Sequence, residues 1–139
     1  MTDKEKIVYI ASKFALKDKV IELYKELMKY GHIVTIIWWQ WEGKQSLKDL
    51  SDNEFYNDPR IKFIKKRDLF GIDECDIFVL LSDENEYMNF NGTNFEMGYA
   101  TAKGKEVYVI GKLDKSALYS GVIWCRDIPD FIVKMICRR

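Results

Sequence analysis

Residues 75–81, CDIFVLL, give the clearest secondary-structure signal in the chain. A short apolar run of this kind is typical of a strand that is buried on both faces of a parallel sheet. Residues 6–11 (KIVYIA) and residues 106–110 (EVYVI) have a similar character, and residues 33–37 (IVTII) form a β-branched run. These stretches predict the main strands of one sheet.

Helical patterns separate the predicted strands. Apolar residues recur at helical spacing over residues 16–30, and Gly31 follows where a helix C-cap is expected. Further helices are predicted over residues 93–103 and 127–137, with a short final strand at residues 121–124. Strands that alternate with helices indicate a parallel sheet with right-handed crossovers. We therefore expect a Rossmann-like, flavodoxin-like α/β fold, a three-layer sandwich around a parallel sheet of about five strands.

The middle of the chain is less regular. Residues 42–58 lack a clear period and predict a loop mixed with a short helix. Pro59 interrupts the pattern, and residues 61–69 fit either a short strand or the beginning of a helix. Since we find no internal repeat, low-complexity segment or linker, residues 1–139 predict a single domain.

The composition argues against several function classes. Lys+Arg and Asp+Glu both number 22, and this balance gives no indication of a nucleic acid polymer or a membrane surface as partner. The apolar runs are too short to span a bilayer, and the N-terminal residues lack the apolar core of a signal peptide. The three cysteines are odd in number and share no metal-ligand spacing. We expect a cytoplasmic protein with no metal site.

Residues 91–100, NGTNFEMGYA, put the Glu96 carboxylate at the beginning of a predicted helix, after the loop that follows a buried strand. In open α/β sheets, ligands bind in the crevice outside the carboxyl ends of the strands. Glu96 is therefore a candidate for chemistry. The same residues also fit a capping box, in which Thr93 caps the helix and Glu96 bonds back to the Thr93 amide.

An ordered set of motifs resembles the nucleoside 2-deoxyribosyltransferase family, which includes the deoxynucleoside 5′-monophosphate N-glycosidases. The set consists of VYIA at residues 8–11, GHIVT at residues 31–35 leading to a Trp, Asp68 eight residues before Asp76, and GTxxExGxA at residues 92–100. The resemblance covers roughly residues 6–110. It implies cleavage of the N-glycosidic bond of a (deoxy)nucleoside or nucleoside monophosphate, with the sugar passing to another base or to water.

The resemblance also implies a role for three side chains. Glu96 matches the family nucleophile, which attacks the anomeric carbon and forms a covalent glycosyl-enzyme, as in retaining glycoside chemistry. In the first turn of a helix, the macrodipole would help to keep this carboxylate ionised. Asp68 matches a family Asp that lies at the nucleobase and is a candidate proton donor to the leaving base. Tyr9 matches a family Tyr that orients the nucleophile.

The resemblance further implies no metal or organic cofactor and a homodimer or higher homo-oligomer. Three tryptophans lie at or beyond the end of the second strand: Trp38, Trp39 and Trp41. We expect Trp38 to be a candidate for stacking on a nucleobase, although tryptophans here also fit a role in covering the sheet or a subunit contact. Lys13 follows the first strand, where a loop can meet a phosphate.

The chain departs from the family pattern at one position. Many members have Asp or Ser six residues before the nucleophile, where it contacts the substrate, and this chain has Phe90 there. Asn89 and Asn91 are candidates to replace that contact, and Gly92 frees the loop. Two other functions stay open: a non-catalytic nucleotide-binding module, which Phe90 favours, and a Glu-dependent nicotinamide-dinucleotide glycohydrolase.

Overall fold

The computed structural model describes residues 5–40, 47 and 49–137. In this part of the chain, parallel strands form one sheet with the order β2-β1-β3-β4-β5. The strands are β1 (Ile7–Ala11), β2 (Ile33–Val34), β3 (Ile77–Leu81), β4 (Glu106–Ile110) and β5 (Ile123–Cys125). This order is the flavodoxin-like one, and the predicted Rossmann-like fold with a parallel sheet of about five strands is confirmed.

Helices cover both faces of the sheet. They are α1 (Lys17–Lys29), α2 (Asp52–Asn57), α3 (Pro59–Glu74), α4 (Asn91–Ala102) and α5 (Ile128–Cys137). Apolar residues of α1 and α5 share one core cluster with the sheet, and those of α3 and α4 share another. This gives three layers. Among the residues that the structure describes, no helix is both long enough and apolar enough to cross a membrane.

The alternation of side chains along β1 decides which helices each residue meets. Val8 and Ile10 belong to the core with α1 and α5, whereas Tyr9 and Ala11 belong to the core with α3 and α4. Successive side chains of a strand point to opposite faces, so this division follows from the extended backbone. Tyr9 consequently lies between the sheet and the two helices that carry Asp68 and Glu96.

The second strand is shorter than predicted. The pattern of residues 33–37 predicted a strand over its whole length, but β2 ends at Val34. A short 3-10 helix at Trp38–Gln40 follows, and the indole Nε1 of Trp38 donates to the Ile10 carbonyl at 2.7 Å. This bond draws the chain across the end of β1, which accounts for the early end of the strand.

The ambiguous residues 61–69 are helical, and Pro59 does not interrupt the pattern but begins α3. The Asp58 side chain accepts a hydrogen bond from the Arg60 backbone N–H at 2.8 Å and caps the helix. Proline is well suited to the first helical position because the N–H that it lacks would have no partner within the helix. Asp68 therefore lies on a long helix rather than at the end of a strand.

Gly71 allows α3 to approach the sheet closely. A Cβ atom at this position would lie 2.4 Å from Cγ1 of Ile36 and 3.1 Å from Cδ2 of Tyr9. Contacts this short are repulsive, so a larger residue would push the helix away from the sheet. Since Asp68 lies about one turn before Gly71, the close approach also sets the position of Asp68 relative to Tyr9.

Candidate active site

A cavity of about 1010 Å³ lies at the carboxyl end of β1, next to α3 and α4. All the residues proposed from the sequence for catalysis or substrate binding line it: Tyr9, Lys13, Trp38, Asp68, Asn89, Asn91, Gly92 and Glu96. In a sheet with this strand order, the position corresponds to the topological switch point between β1 and β3, where ligands bind in open α/β folds. The cavity is large enough for a small molecule.

A short hydrogen bond joins two of the candidate catalytic residues across the fold. The hydroxyl of Tyr9 on β1 donates to Oε2 of Glu96 on α4 at 2.5 Å. The Tyr9 ring is buried and stacks on Phe78 of β3, with ring centroids 5.7 Å apart. The Tyr9 hydroxyl is thus held at a fixed point beside the Glu96 carboxylate.

The surroundings of Tyr9 keep its hydroxyl protonated. Burial raises the pKa of Tyr9 well above its ordinary value, and the negative charges of Glu96 and Asp68 raise this pKa further. Arg67 has the opposite effect on the pKa of Tyr9. Because the neutral form is favoured, Tyr9 is a hydrogen-bond donor to Glu96 over the whole physiological pH range.

Asp68 reaches the cavity from α3. Its Oδ1 atom accepts a hydrogen bond from Nε of Arg67 at 3.1 Å, and Nη2 of Arg67 forms an ion pair with the same oxygen at 3.0 Å. Since Asp68 also acts electrostatically on Tyr9, the carboxylates of Asp68 and Glu96 both influence the same hydroxyl. Carboxylates from two different helices, Asp68 on α3 and Glu96 on α4, therefore line the same cavity.

The capping-box interpretation of Glu96 is wrong. Helix α4 begins at Asn91, with Phe90 at the N-cap position, and no side chain there caps the helix. Thr93 lies inside the helix with its side chain buried, and Glu96 lies in the second turn, so the first-turn macrodipole argument does not hold. Phe90 is buried in the core with α3 and α4, which draws the chain into the helix earlier than the Thr93 pattern predicted.

Three lysines of the cavity wall each lie over a phenylalanine ring that also lines the cavity. The distances from Nζ to the ring centroid are 5.5 Å for Lys13 over Phe90, 5.2 Å for Lys17 over Phe14 and 5.8 Å for Lys65 over Phe95. Such cation–π contacts hold an ammonium group in place without neutralising its charge. The cavity wall thus combines fixed positive charge with apolar surface.

The tryptophans have separate roles in the structure. Trp38 lines the cavity and is anchored through its indole nitrogen, whereas Trp39 is buried in the core and packs edge-to-face on Tyr24. Trp41 lies outside the described residues. Of Trp38 and Trp39, Trp38 is the one on the cavity wall.

The comparison with family models decides the family. The model for nucleoside 2-deoxyribosyltransferase matches residues 6–121. The chain belongs to the nucleoside 2-deoxyribosyltransferase family. Membership confirms the resemblance seen in the sequence motifs and indicates a glycosyl-transferring or glycosidase enzyme that acts on small nucleosides or nucleotides.

Two solved structures are similar to this chain in fold. One is a CMP N-glycosidase from Clostridium botulinum, with a TM-score of 0.59 and 20% identity, covering 94% of this chain and 99% of that chain. The other is a 2-deoxyribosyltransferase from Bacillus psychrosaccharolyticus, with a TM-score of 0.60 and 20% identity, covering 90% of this chain and 89% of that chain. No curated protein sequence gives a significant match.

Several residues of this nucleoside 2-deoxyribosyltransferase-family cavity were not singled out from the sequence. They are Ser12, Phe14, Ala15, Lys17, Lys65, Leu69, Phe90, Thr93 and Phe95, of which Phe90 and Thr93 were considered only as a departure and a cap. A helical assignment of residues 61–69 would have pointed to Lys65, which lies about one turn before Asp68, and then to Leu69, which lies about one turn after Lys65. Ser12 donates to the Leu81 carbonyl at 2.7 Å, a contact that no local pattern predicts.

Proposed function

We propose that the protein cleaves the N-glycosidic bond of a (deoxy)nucleoside or nucleoside monophosphate with Glu96 as the nucleophile. The observation that carries this proposal is the convergence of Glu96, Asp68 and Tyr9 in one cavity, with Tyr9 bonded to Glu96 at 2.5 Å. The family provides the reaction class, and two carboxylates line the cavity, of which Glu96 can serve as the nucleophile.

The proposed reaction takes place in two displacements. The Glu96 carboxylate attacks the anomeric carbon while the C–N bond breaks, and the bonding electron pair leaves with the base. A glycosyl ester on Glu96 results. A nitrogen of a second base, or water, then attacks the same carbon and regenerates the carboxylate, with loss of one proton from the attacking group. The first outcome is transfer and the second is hydrolysis.

Each neighbouring residue has a defined task in this proposal. Asp68 assists the departing base, which needs a proton as its C–N bond breaks. Tyr9 donates to Glu96 and orients it towards the anomeric carbon. Trp38 offers an aromatic face to the base, while Asn89 and Asn91 offer the sugar the polar contacts that the apolar ring between them cannot make. We expect no metal or organic cofactor.

The charge of the cavity wall favours the monophosphate over the nucleoside. Three lysines line the cavity, whereas the proposed catalytic pair contributes two carboxylates. The N-terminus of α4, with Asn91 and Gly92 on the cavity wall and no side-chain cap, adds a partial positive charge. An anionic substituent on the sugar complements this wall. Lys13 is the best-placed ammonium group, since it lies over Phe90 next to that helix end.

Lys13→Gln is expected to raise KM for a nucleoside monophosphate by about tenfold, the cost of one charge-assisted hydrogen bond. The KM for the matching nucleoside should stay within about twofold, because it carries no phosphate. The measurement is a pair of initial-rate series for each variant. Lys112→Gln is the matched control, because Lys112 also lies over an aromatic ring, Tyr87, but outside the cavity. Equal KM changes for both substrates would contradict the phosphate role of Lys13.

The function as a whole is tested with a substrate panel. Purified protein is incubated with deoxynucleosides, ribonucleosides, their monophosphates and nicotinamide dinucleotide, with and without a second free base, and released bases are separated by chromatography. We expect release or exchange of a nucleobase. Tight binding without any release would favour the binding module, and free nicotinamide would favour the dinucleotide glycohydrolase. Sedimentation of the same sample tests the expected homo-oligomer.

Tyr9→Phe is expected to lower kcat by about 10- to 100-fold, because a hydrogen bond to a charged group contributes about 1.5–3 kcal/mol. KM should change little, since the proposed role is to orient the nucleophile rather than to bind the substrate. Steady-state kinetics of the purified variant checks both quantities. Tyr108→Phe is the control: Tyr108 is a buried tyrosine bonded to Glu106, on the other face of the sheet. A kcat for Tyr9→Phe close to that of the control would remove Tyr9 from the mechanism.

A further inference from the structure

A contact between Lys65 and Phe95 joins α3 to α4 at the wall of the cavity. Nζ of Lys65 lies 5.8 Å from the centroid of the Phe95 ring, and both residues line the cavity. Phe95 is 60% exposed, so its ring does not belong to the buried core. The contact fixes an ammonium group between the helix that carries Asp68 and the helix that carries Glu96.

The place of Lys65 in the cavity follows from its two helical neighbours. Lys65 lies three residues before Asp68 on α3, and Phe95 comes directly before Glu96 on α4. Residues three apart on a helix are neighbours on its surface, with about 5–6 Å between their Cβ atoms. Since Lys65 and Asp68 line the same cavity, the Lys65 ammonium lies on the side of the cavity where Asp68 is proposed to meet the base.

Lys13 approaches α4 at a different level. It lies over Phe90 at the N-cap position, whereas Lys65 lies over Phe95, five residues further along the chain. A helix rises 1.5 Å per residue, so these two positions are separated by about 7 Å along the axis. Lys13 is already proposed to meet a phosphate on the sugar, which leaves Lys65 for another part of the substrate.

We propose that Lys65 is a specificity-determining residue that selects nucleobases with an exocyclic oxygen at position 4 of a pyrimidine or position 6 of a purine. The proposal rests on the proposed function, in which the leaving base lies at Asp68. An ammonium group has three N–H donors and no acceptor, so it complements a carbonyl oxygen and gives an amino group no partner. Guanine and thymine carry oxygens at these positions, where adenine and cytosine carry amino groups.

The same contact acts on bond cleavage as well as on binding. When the C–N bond breaks, its electron pair leaves with the base, and the negative charge spreads to the carbonyl oxygens of that base. An ammonium group fixed beside such an oxygen stabilises this charge most strongly as the charge develops. The Phe95 ring holds Lys65 in place without neutralising it. We therefore expect the selection to be seen in kcat/KM.

The test compares substrates that differ only at this position, the hypoxanthine with the adenine compound and the uracil with the cytosine compound, each on the sugar preferred in the panel. We expect the unaltered protein to prefer the oxo base. This preference in kcat/KM should fall by about tenfold or more in Lys65→Gln, because its amide can accept from an amino group as well as donate to an oxygen. Lys62→Gln is the control, since Lys62 is exposed one turn earlier on α3, outside the cavity, and should keep the preference.

The outcomes separate Lys65 from the reaction as a whole. Base release with an unchanged oxo preference in Lys65→Gln, or with an equal loss for both members of a pair, overturns the proposal for Lys65 alone. If the unaltered protein releases no base from any substrate, the proposed function fails, and calorimetric binding of free hypoxanthine and adenine decides on Lys65. Tighter binding of hypoxanthine that is lost in Lys65→Gln but kept in Lys62→Gln supports the proposal. Any other binding pattern overturns it.

Discussion

Glu96→Gln is expected to lower turnover by about a thousandfold or more while leaving the protein folded. The amide keeps the size of the side chain and can still accept a hydrogen bond from Tyr9, but it cannot form the glycosyl ester. Because Glu96 is the carboxylate that accepts the Tyr9 hydroxyl, loss of its carboxylate removes the proposed nucleophile. The measurement is kcat with the best substrate of the panel.

The stability of Glu96 variants separates catalysis from structure. Glu96→Ala leaves the buried Tyr9 hydroxyl without this partner, and we expect a loss of about 1–3 kcal/mol in the free energy of unfolding, measured by denaturant titration. Glu96→Gln should lose less. Glu74→Gln is the control for both, because Glu74 is an exposed carboxylate at the end of α3, outside the cavity. Nearly full turnover in folded Glu96→Gln would contradict the nucleophile assignment.

Asp68→Asn is expected to lower kcat by about 10²- to 10⁴-fold, the usual contribution of a general acid or base. The loss should depend on the substrate. A base that leaves easily without protonation needs Asp68 less, so substrates with electron-poor bases should lose less activity than those with the natural bases. The measurement is kcat for both kinds of substrate with the unaltered protein and with the variant.

The control for this comparison is Asp114→Asn, in an exposed position outside the cavity. It should leave kcat unchanged for all substrates. If Asp68→Asn lowers kcat equally for easy and difficult leaving groups, Asp68 does not supply a proton to the departing base. A raised KM with unchanged kcat would instead make it a residue that binds the substrate.

Much of the fold could be predicted from the sequence because its main signals are local. The apolar runs of β1, β3 and β4 are short and bounded by polar residues, and the helical spacing of apolar residues in α1 ends at a glycine with positive φ, Gly31. The parallel order of strands then follows from the alternation of strands with helices. These features do not depend on distant contacts.

The boundaries that the sequence patterns missed are decided by tertiary contacts. The capping-box pattern at Thr93 is a genuine local signal, but the burial of Phe90 against α3 and α4 begins the helix earlier. In the same way, β2 ends early where Trp38 bonds to Ile10. Local propensity is a weak prior, and packing overrides it at such places.

In the candidate site, too, some residues could be predicted from the sequence and others could not. Tyr9, Asp68 and Glu96 could be placed together because the order of motifs resembled a known family, and the structure brings all three to one cavity. Lys65 was not singled out, because residues 61–69 had no clear helical assignment and the residue one turn before Asp68 was therefore not considered. The contact of Arg67 with Asp68 could not be predicted from the helix either, because adjacent helix residues do not face each other. Residues that line a cavity through long-range packing, such as Ser12, leave no pattern in the sequence.

The most direct test of the central claim is to trap the glycosyl-enzyme. A nucleoside with an electronegative fluorine at C2′ of the sugar slows both displacements, since it disfavours the oxocarbenium-like transition state, and a good leaving base restores the first of them. The protein is quenched in acid, digested and analysed by mass spectrometry. We predict a sugar adduct on Glu96, in the peptide that contains residues 91–100. An adduct on any other residue, or base release without an adduct under conditions that trap a known retaining enzyme, would contradict the account.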